Sequence, residues 1–369
     1  MLENYRLRNY NFKLLFLTLF AAIFGTVMIN SADSSYLKKQ IFGLVICFTG
    51  LIILSLIDYK FIEKFHIILY GINILLLSAV ILFGSSANGA KRWLGSKDTI
   101  TIQPSEFAKI ILIICAAHFL SQHKEDINSL KTLLLYALLC AVPLMLIAAQ
   151  PDLSTTIDIF VILFAMLFVA GLDYKIIGIG LLCLIPLAGS FIWYIQRPNP
   201  WPFKDYQVIR ILSHLYPDEY TNTTRYQQDN SIMAIGSGQL WGKGLNNSTL
   251  ATVKDTNLIS EQQTDFIFSV VGEELGFVGS ILIIVILGLI VVQCIRTARK
   301  ANDDMGMYIA TGVATLIGFQ TFINIGVATA LLPNTGIPLP FISYGLSSLV
   351  SSCAAIGLVL NISLQRRKY

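Results

Sequence analysis

Three short segments each set a carboxylate beside a turn signal just ahead of a long apolar run. They are Gln103-Pro104-Ser105-Glu106-Phe107-Ala108-Lys109, Gln150-Pro151-Asp152 and Thr264-Asp265-Phe266. Two more segments carry cations or a proline-rich turn: Lys91-Arg92-Trp93 and residues 332–340. A carboxylate can take a proton as general base. Arg grips phosphate oxygens through two N–H groups, and Lys acts on them as a point charge. Glu106 and Lys109 are spaced i,i+3, which places them on one helix face as an ion pair. The plainer alternatives are that Asp152 and Asp265 only cap helix N-termini and that Glu106–Lys109 is structural.

Other polar residues are less directed. Glu273 and Glu274 lie about two turns beyond Asp265, roughly 12–14 Å along a helix; they read equally as a buried pair or as part of a site. Asp158 sits two turns into its own apolar run with no assigned role. The glycine-rich stretch 235–244 lacks the spacing of a phosphate-binding loop, since Ser237 and Gly244 stand where a glycine and a Ser/Thr are required. A tight turn fits it better. No Cys/His spacing suggests a metal cage.

The elements that position these residues are membrane spans. Of 369 residues only 13% are charged and 55% are apolar, with mean hydropathy +0.68. Soluble chains carry about 25% charge, so the deficit calls for many apolar helices. Runs near 13–31, 41–58, 65–84, 104–121, 132–149, 152–171, 174–195, 266–293, 306–332 and 340–362 are each long enough to span. The run from Leu14 to Ile29 fits a first span better than a cleaved leader, because a second follows closely. The six cysteines lie in or beside apolar runs, which suits packing rather than disulfides. The expectation is an all-α polytopic membrane protein of about ten helices in a single domain, with one large extracytoplasmic loop at 196–264.

Lys/Arg bias sets orientation. With the N-terminus inside, inner segments carry 14 cations: Arg6, Arg8, Lys13, Lys60, Lys64, Lys124, Lys131, Lys175, Arg296, Arg299, Lys300, Arg366, Arg367 and Lys368. The short outer loops carry 5: Lys38, Lys39, Lys91, Arg92 and Lys97. Both termini are expected in the cytoplasm and the carboxylate segments outside. The net charge of +4 then reflects this bias and gives no sign of nucleic-acid binding.

Six segments together resemble the SEDS family, which includes RodA, FtsW and SpoVE. They are NGAKRWL at 88–94, QPSEFAK at 103–109, QPDLST at 150–155, AIGSGQLWGKGL at 234–245, TDFIFSVVGEELGFVGS at 264–280 and LPNTGIPLPFISYG at 332–345. The large loop, from Tyr206 through Asn246-Asn247-Ser248-Thr249 to Asp265, resembles the RodA branch. The chain departs from the family at Ser154, Gln239 and Leu346, where glycine is frequent, at Asp158, where an apolar residue is frequent, and at Asp229-Asn230.

The resemblance implies a peptidoglycan glycosyltransferase that polymerises lipid II, an undecaprenyl-diphosphate-linked substrate, for cell elongation or division. It also implies a class B penicillin-binding protein and other elongation or division machinery as partners. Asp265 is the expected catalytic base. Lys91, Arg92, Lys109 and Arg210 are candidates to bind the diphosphate, with Glu106 orienting Lys109, and Asp152 completes the expected substrate site. Transfer should invert the anomeric centre. A divalent cation, Mg²⁺ or Mn²⁺, held by diphosphate and one or two carboxylates, is compatible with this chemistry. The rival expectations are a lipid II flippase, which needs polar groups facing both leaflets, and a non-catalytic scaffold, which needs no base.

Overall fold

A computed structural model describes residues 7–87, 90–95, 102–197, 200, 205–219, 224–247, 252–253 and 258–365. Arg6, Asn88, Gly89, Lys97, Ser248, Thr249, Arg366, Arg367 and Lys368, named above, lie outside these residues.

The chain is built of helices: α1 (Phe12–Ala32), α2 (Leu37–Leu56), a single turn α3 (Tyr59–Glu63) and α4 (His66–Phe83). A small hairpin follows, β1 (Ser85–Ala87) against β2 (Ala90–Trp93), antiparallel. Then come α5 (Pro104–Gln122), α6 (Leu130–Ala149), α7 (Leu153–Val169) and α8 (Tyr174–Ile195). After α9 (Asp205–Leu215) and α10 (Thr224–Ser237) the chain ends with α11 (Ile267–Arg299), α12 (Asp304–Ala328) and α13 (Leu346–Leu364). Among the described residues nine helices are long and apolar enough to cross a membrane. The seventeen-residue α7 makes a tenth at the lower limit of about 17–25 residues for a span.

α5, α12 and α13 form the buried centre, while α1, α2, α4 and α6 turn large apolar side chains outward. α8 packs on almost nothing: only Ile195 is buried. Such surfaces are untenable in water and natural against lipid tails. Small residues on α13 let neighbours approach closely, as at Gly357, where an added Cβ would stand 2.9 Å from the Leu51 carbonyl.

Three expected spans are bounded differently. The run 266–293 continues as helix to Arg299. The run 306–332 stops at Ala328, because Ala330 takes a left-handed conformation (φ +53°). The run 340–362 starts only at Leu346. Pro338 and Pro340 cannot donate to a helix, and Phe341 at φ +64° holds the segment in a turn. The large 196–264 loop holds α9 and α10. On α9, Val208, Ile211, Leu212 and Leu215 follow helical spacing, and α10 docks on the end of α12 through Ser231 to the Ala328 carbonyl (2.7 Å).

The glycine-rich stretch is more than a turn. α11 is broken at Gly276 (φ +65°, ψ −159°), and the break frees backbone groups of the helix. Residues 239–244 satisfy them: Lys243 and Gly244 donate to the carbonyls of Glu273 and Glu274, and Phe277 donates to the Gln239 carbonyl. A side chain at Gly276 would strike Gly242 N at 2.4 Å. Glu273 and Glu274 prove to be anchors of this inserted turn segment. Glu273 takes Lys243 Nζ (2.7 Å) and Val253 N (2.7 Å), and Glu274 takes Ser31 Oγ (2.5 Å) and Asn246 N (3.3 Å).

Candidate active site

One end of the bundle gathers the polar segments. The 261–266 turn, the 332–345 loop, the β-hairpin and the starts of α5 and α7 meet there. The opposite end holds both described chain ends, where Asn11 N donates to Ser363 Oγ (3.2 Å).

Asn324, near the end of α12, fastens the site. Its Nδ2 donates to the carbonyls of Asp265 and Ile337, each at 2.8 Å. Ser343 Oγ donates to the Thr264 carbonyl (2.6 Å) and Tyr344 N to the Gln263 carbonyl (2.9 Å). These bonds lock two loops distant in sequence around Asp265. Sequence reasoning missed Asn324 because it weighed ionisable residues only; an amide inside a span was the available signal. Gly336, at φ +73°, passes beside the carboxylate, and a Cβ there would stand 3.3 Å from Oδ2.

Asp265 lines a polar cavity of about 330 Å³ together with Arg92, Arg210, Glu261 and Gln103. No hydrogen bond or ion pair among the described residues engages its carboxylate. Burial, and then the neighbouring Glu261 charge, push its pKa up to about 6, against the opposing pull of Arg210 and Arg92.

Arg92 is aimed by the hairpin and held from behind. Its Nη1 stands 3.5 Å from Asp152 Oδ1, and its Nη2 donates to the Pro151 carbonyl. Asp152 also caps α7, accepting from Thr155 N (3.3 Å). The cap, expected as the plainer alternative for Asp152, and an ion pair with Arg92 that the sequence did not suggest are therefore present in one side chain. Arg210 on α9 reaches the Thr335 carbonyl at 3.5 Å. Ser154 Oγ donates to the same carbonyl (2.7 Å).

Arg92 and Arg210 also line a second, almost wholly apolar cavity of about 280 Å³, walled by Leu153, Ile157, Phe191 and Phe319. The two arginines thus stand where a polar chamber meets an apolar one.

Three expected contacts are not made from the cavity wall. Lys91 is exposed and lines neither cavity; successive strand residues point to opposite faces, so the hairpin that aims Arg92 inward turns Lys91 out. Lys109 (2% exposed) and Glu106 (3%) lie beneath the cavity. Their pairing is as expected, at 2.8 Å. Lys109 Nζ also stands 3.6 Å from Asp158 Oδ2, which accepts from Gln320 Nε2 (2.8 Å). Ser351 Oγ donates to Glu106 (3.2 Å). Lys109 is thus sandwiched between two carboxylates inside the bundle, and Asp158, which the sequence left without a role, is the second of them.

Among the described residues no group of three or more His, Cys, Asp or Glu could cage a metal. Glu261 and Asp265 bring two hard oxygen ligands to one cavity, the number Mg²⁺ takes when phosphates complete its shell.

The family described as "Cell cycle protein", that of FtsW, RodA and SpoVE, matches residues 8–368. A relative named "Probable peptidoglycan glycosyltransferase FtsW", from Geobacter metallireducens, is 34% identical over 98% of this chain and 96% of its own length. Stage V sporulation protein E of Bacillus subtilis is also 34% identical, over 96% and 97%. Among solved structures, rod shape determining protein RodA of Thermus thermophilus superposes with a TM-score of 0.71 at 27% identity, covering 98% of each chain. A chain from a structure described as "Structural coordination of polymerization and crosslinking by a peptidoglycan synthase complex" gives 0.79 at 28%, covering 96% and 97%.

Proposed function

The chain belongs to the FtsW/RodA/SpoVE family, and from that footing we propose that it is a peptidoglycan glycosyltransferase that polymerises lipid II at the Asp265 cavity. The observation that carries the reading is the shared arginine pair. A polyprenyl diphosphate sugar has an apolar tail, an anionic centre and a polar head. The apolar cavity, Arg92 with Arg210, and the Asp265 chamber offer matching surroundings in that order.

In the reaction the GlcNAc 4-hydroxyl of one lipid-linked chain attacks the anomeric carbon of MurNAc on another. The new C–O bond forms as the bond to the diphosphate oxygen breaks, with inversion. Asp265 takes the hydroxyl proton. With a pKa of about 6 it is about nine-tenths ionised at pH 7 and a stronger base than an ordinary aspartate. The guanidiniums stabilise charge on the departing diphosphate. A divalent cation, Mg²⁺ or Mn²⁺, held by Glu261 and diphosphate oxygens would supply further neutralisation. Lys109 and Glu106 act from beneath, as a charged underlay to the cavity.

The cavity end faces outside the cell and both termini face the cytoplasm. The support is the cation bias, with Lys13, Lys64, Lys131, Lys175, Arg296 and Arg299 all at the end away from Asp265. A class B penicillin-binding protein is the partner that would crosslink the strands, within larger elongation or division machinery.

The test is strand synthesis from purified lipid II by the chain with its cognate penicillin-binding protein, the latter lacking polymerase activity. Polymer from the native chain and none from a folded, partner-bound Asp265→Ala variant is the expected result. Polymer from both would move the base to another carboxylate. Polymer from neither, with partner bound and metal added, would turn the reading toward a flippase or scaffold.

A further inference from the structure

At the end of the bundle opposite Asp265, α1 and α11 part to leave a groove of about 780 Å³. Its length is apolar, with Phe16, Phe20 and Ile23 on one wall and Leu289 on the other. Its mouth is not: Lys13 and Arg296 stand there with Gln293.

Two features separate this groove from ordinary lipid-facing surface. The first is two uncompensated cations set together at the mouth of one apolar groove, which other exposed cations at this end, such as Lys131 and Lys175, do not line. At the same end Lys60 is paired with Asp303 (2.7 Å) and Lys124 with Asp304 (2.9 Å). Lys13 and Arg296 are exposed and have no ion-pair partner among the described residues. The second is a polar group at the boundary. Gln293 is buried, and its Oε1 accepts from Asn11 Nδ2 (3.4 Å), so the donor end of that amide remains for a ligand. Two cations and an amide donor above an apolar trough call for an anion carried on a hydrocarbon chain.

We propose that this groove binds an anionic phospholipid, its phosphate between Lys13 and Arg296 and one acyl chain along Phe16, Phe20 and Ile23. An apolar partner helix would bury the walls but leave both cations at the mouth without a counter-charge. A zwitterionic lipid would bring its own cation against them.

The experiment uses the full chain purified in detergent, with retained lipid read by native mass spectrometry after adding phosphatidylglycerol or phosphatidylcholine. The native chain should retain one phosphatidylglycerol in preference to phosphatidylcholine. Lys13→Gln with Arg296→Gln should weaken retention by about fivefold for each cation removed. Ile23→Trp, which keeps both charges and fills the trough, should weaken it as well. Lys131→Gln with Lys175→Gln removes two exposed cations at the same end but away from the groove, and should leave retention unchanged. Glycerol phosphate should not displace the lipid. Equal retention of both lipids, an equal loss in the Lys131/Lys175 variant, displacement by glycerol phosphate, or a second protein copy bound instead would each overturn the proposal. Unchanged melting temperatures of the variants separate lost binding from lost folding.

Discussion

Arg92 Nη1 and Asp152 Oδ1 stand 3.5 Å apart, with Asp152 buried and Arg92 partly so. One carboxylate therefore closes the first turn of α7 and steadies a guanidinium that faces both cavities. Asn caps helices as well as Asp but carries no charge for Arg92. Asp152→Asn is expected to keep its melting temperature while losing lipid II polymerisation by roughly 10- to 100-fold, on the scale of losing a charge-assisted contact of about 1.5–3 kcal/mol. Asp152→Ala should lose the same activity and about 1 kcal/mol of stability besides. Polymerisation by Asp152→Asn at the native rate would show that Arg92 needs no such support.

The raised pKa of Asp265 predicts a pH profile. A base must be ionised, so kcat/KM should rise tenfold per pH unit below about 6 and level off above it. Glu261→Gln removes a neighbour that raises the pKa and should shift the limb to lower pH; Arg210→Gln should shift it higher. Added Mg²⁺ beside the carboxylates should also shift it lower. For stability the sign is opposite: the folded chain holds this proton more tightly than the unfolded chain between about pH 4 and 6, so the group's contribution falls as pH rises through that window. Asp265→Asn should accordingly melt somewhat higher at pH 7. Rate profiles and melting curves across pH 4.5–8 test both statements.

The Glu106–Lys109–Asp158 cluster predicts unequal costs. Lys109→Met strips two buried carboxylates of their shared cation and should cost about 3–5 kcal/mol. Asp158→Asn leaves Lys109 paired to Glu106 and still accepts from Gln320, so it should be tolerated. Asp158→Leu deprives Gln320 of its acceptor and should cost about 1–3 kcal/mol. Thermal unfolding in detergent separates the three, and equal losses from Lys109→Met and Asp158→Asn would refute the cluster's charge balance.

The turn segment inserted at Gly276 gives a fourth prediction. Gln239 holds φ +49°, a region that costs a non-glycine residue roughly 1–2 kcal/mol. Gln239→Gly should therefore raise the melting temperature. Gly276→Ala should lower it sharply, because its Cβ meets backbone at 2.4 Å with no side chain able to yield.

The sequence by itself determined the membrane class, the run of apolar spans and the clustering of carboxylates and arginines at one end. Hydropathy and turn residues are local properties, and a bilayer lets local hydropathy dictate a span. The Glu106–Lys109 pair was equally legible, being three residues apart on one helix. Only the tertiary structure decided which of these groups reach the cavity. It turned Lys91 out and Arg92 in, sank Lys109 between Glu106 and Asp158, and made Glu273 and Glu274 anchors for a turn segment pressed into a broken helix. Asn324, which ties Asp265 to Ile337, and Arg210, delivered by a helix inside the large loop to Thr335, 125 residues on, depend on segments that only the fold brings together. Their roles come from packing, and no spacing along the sequence records it.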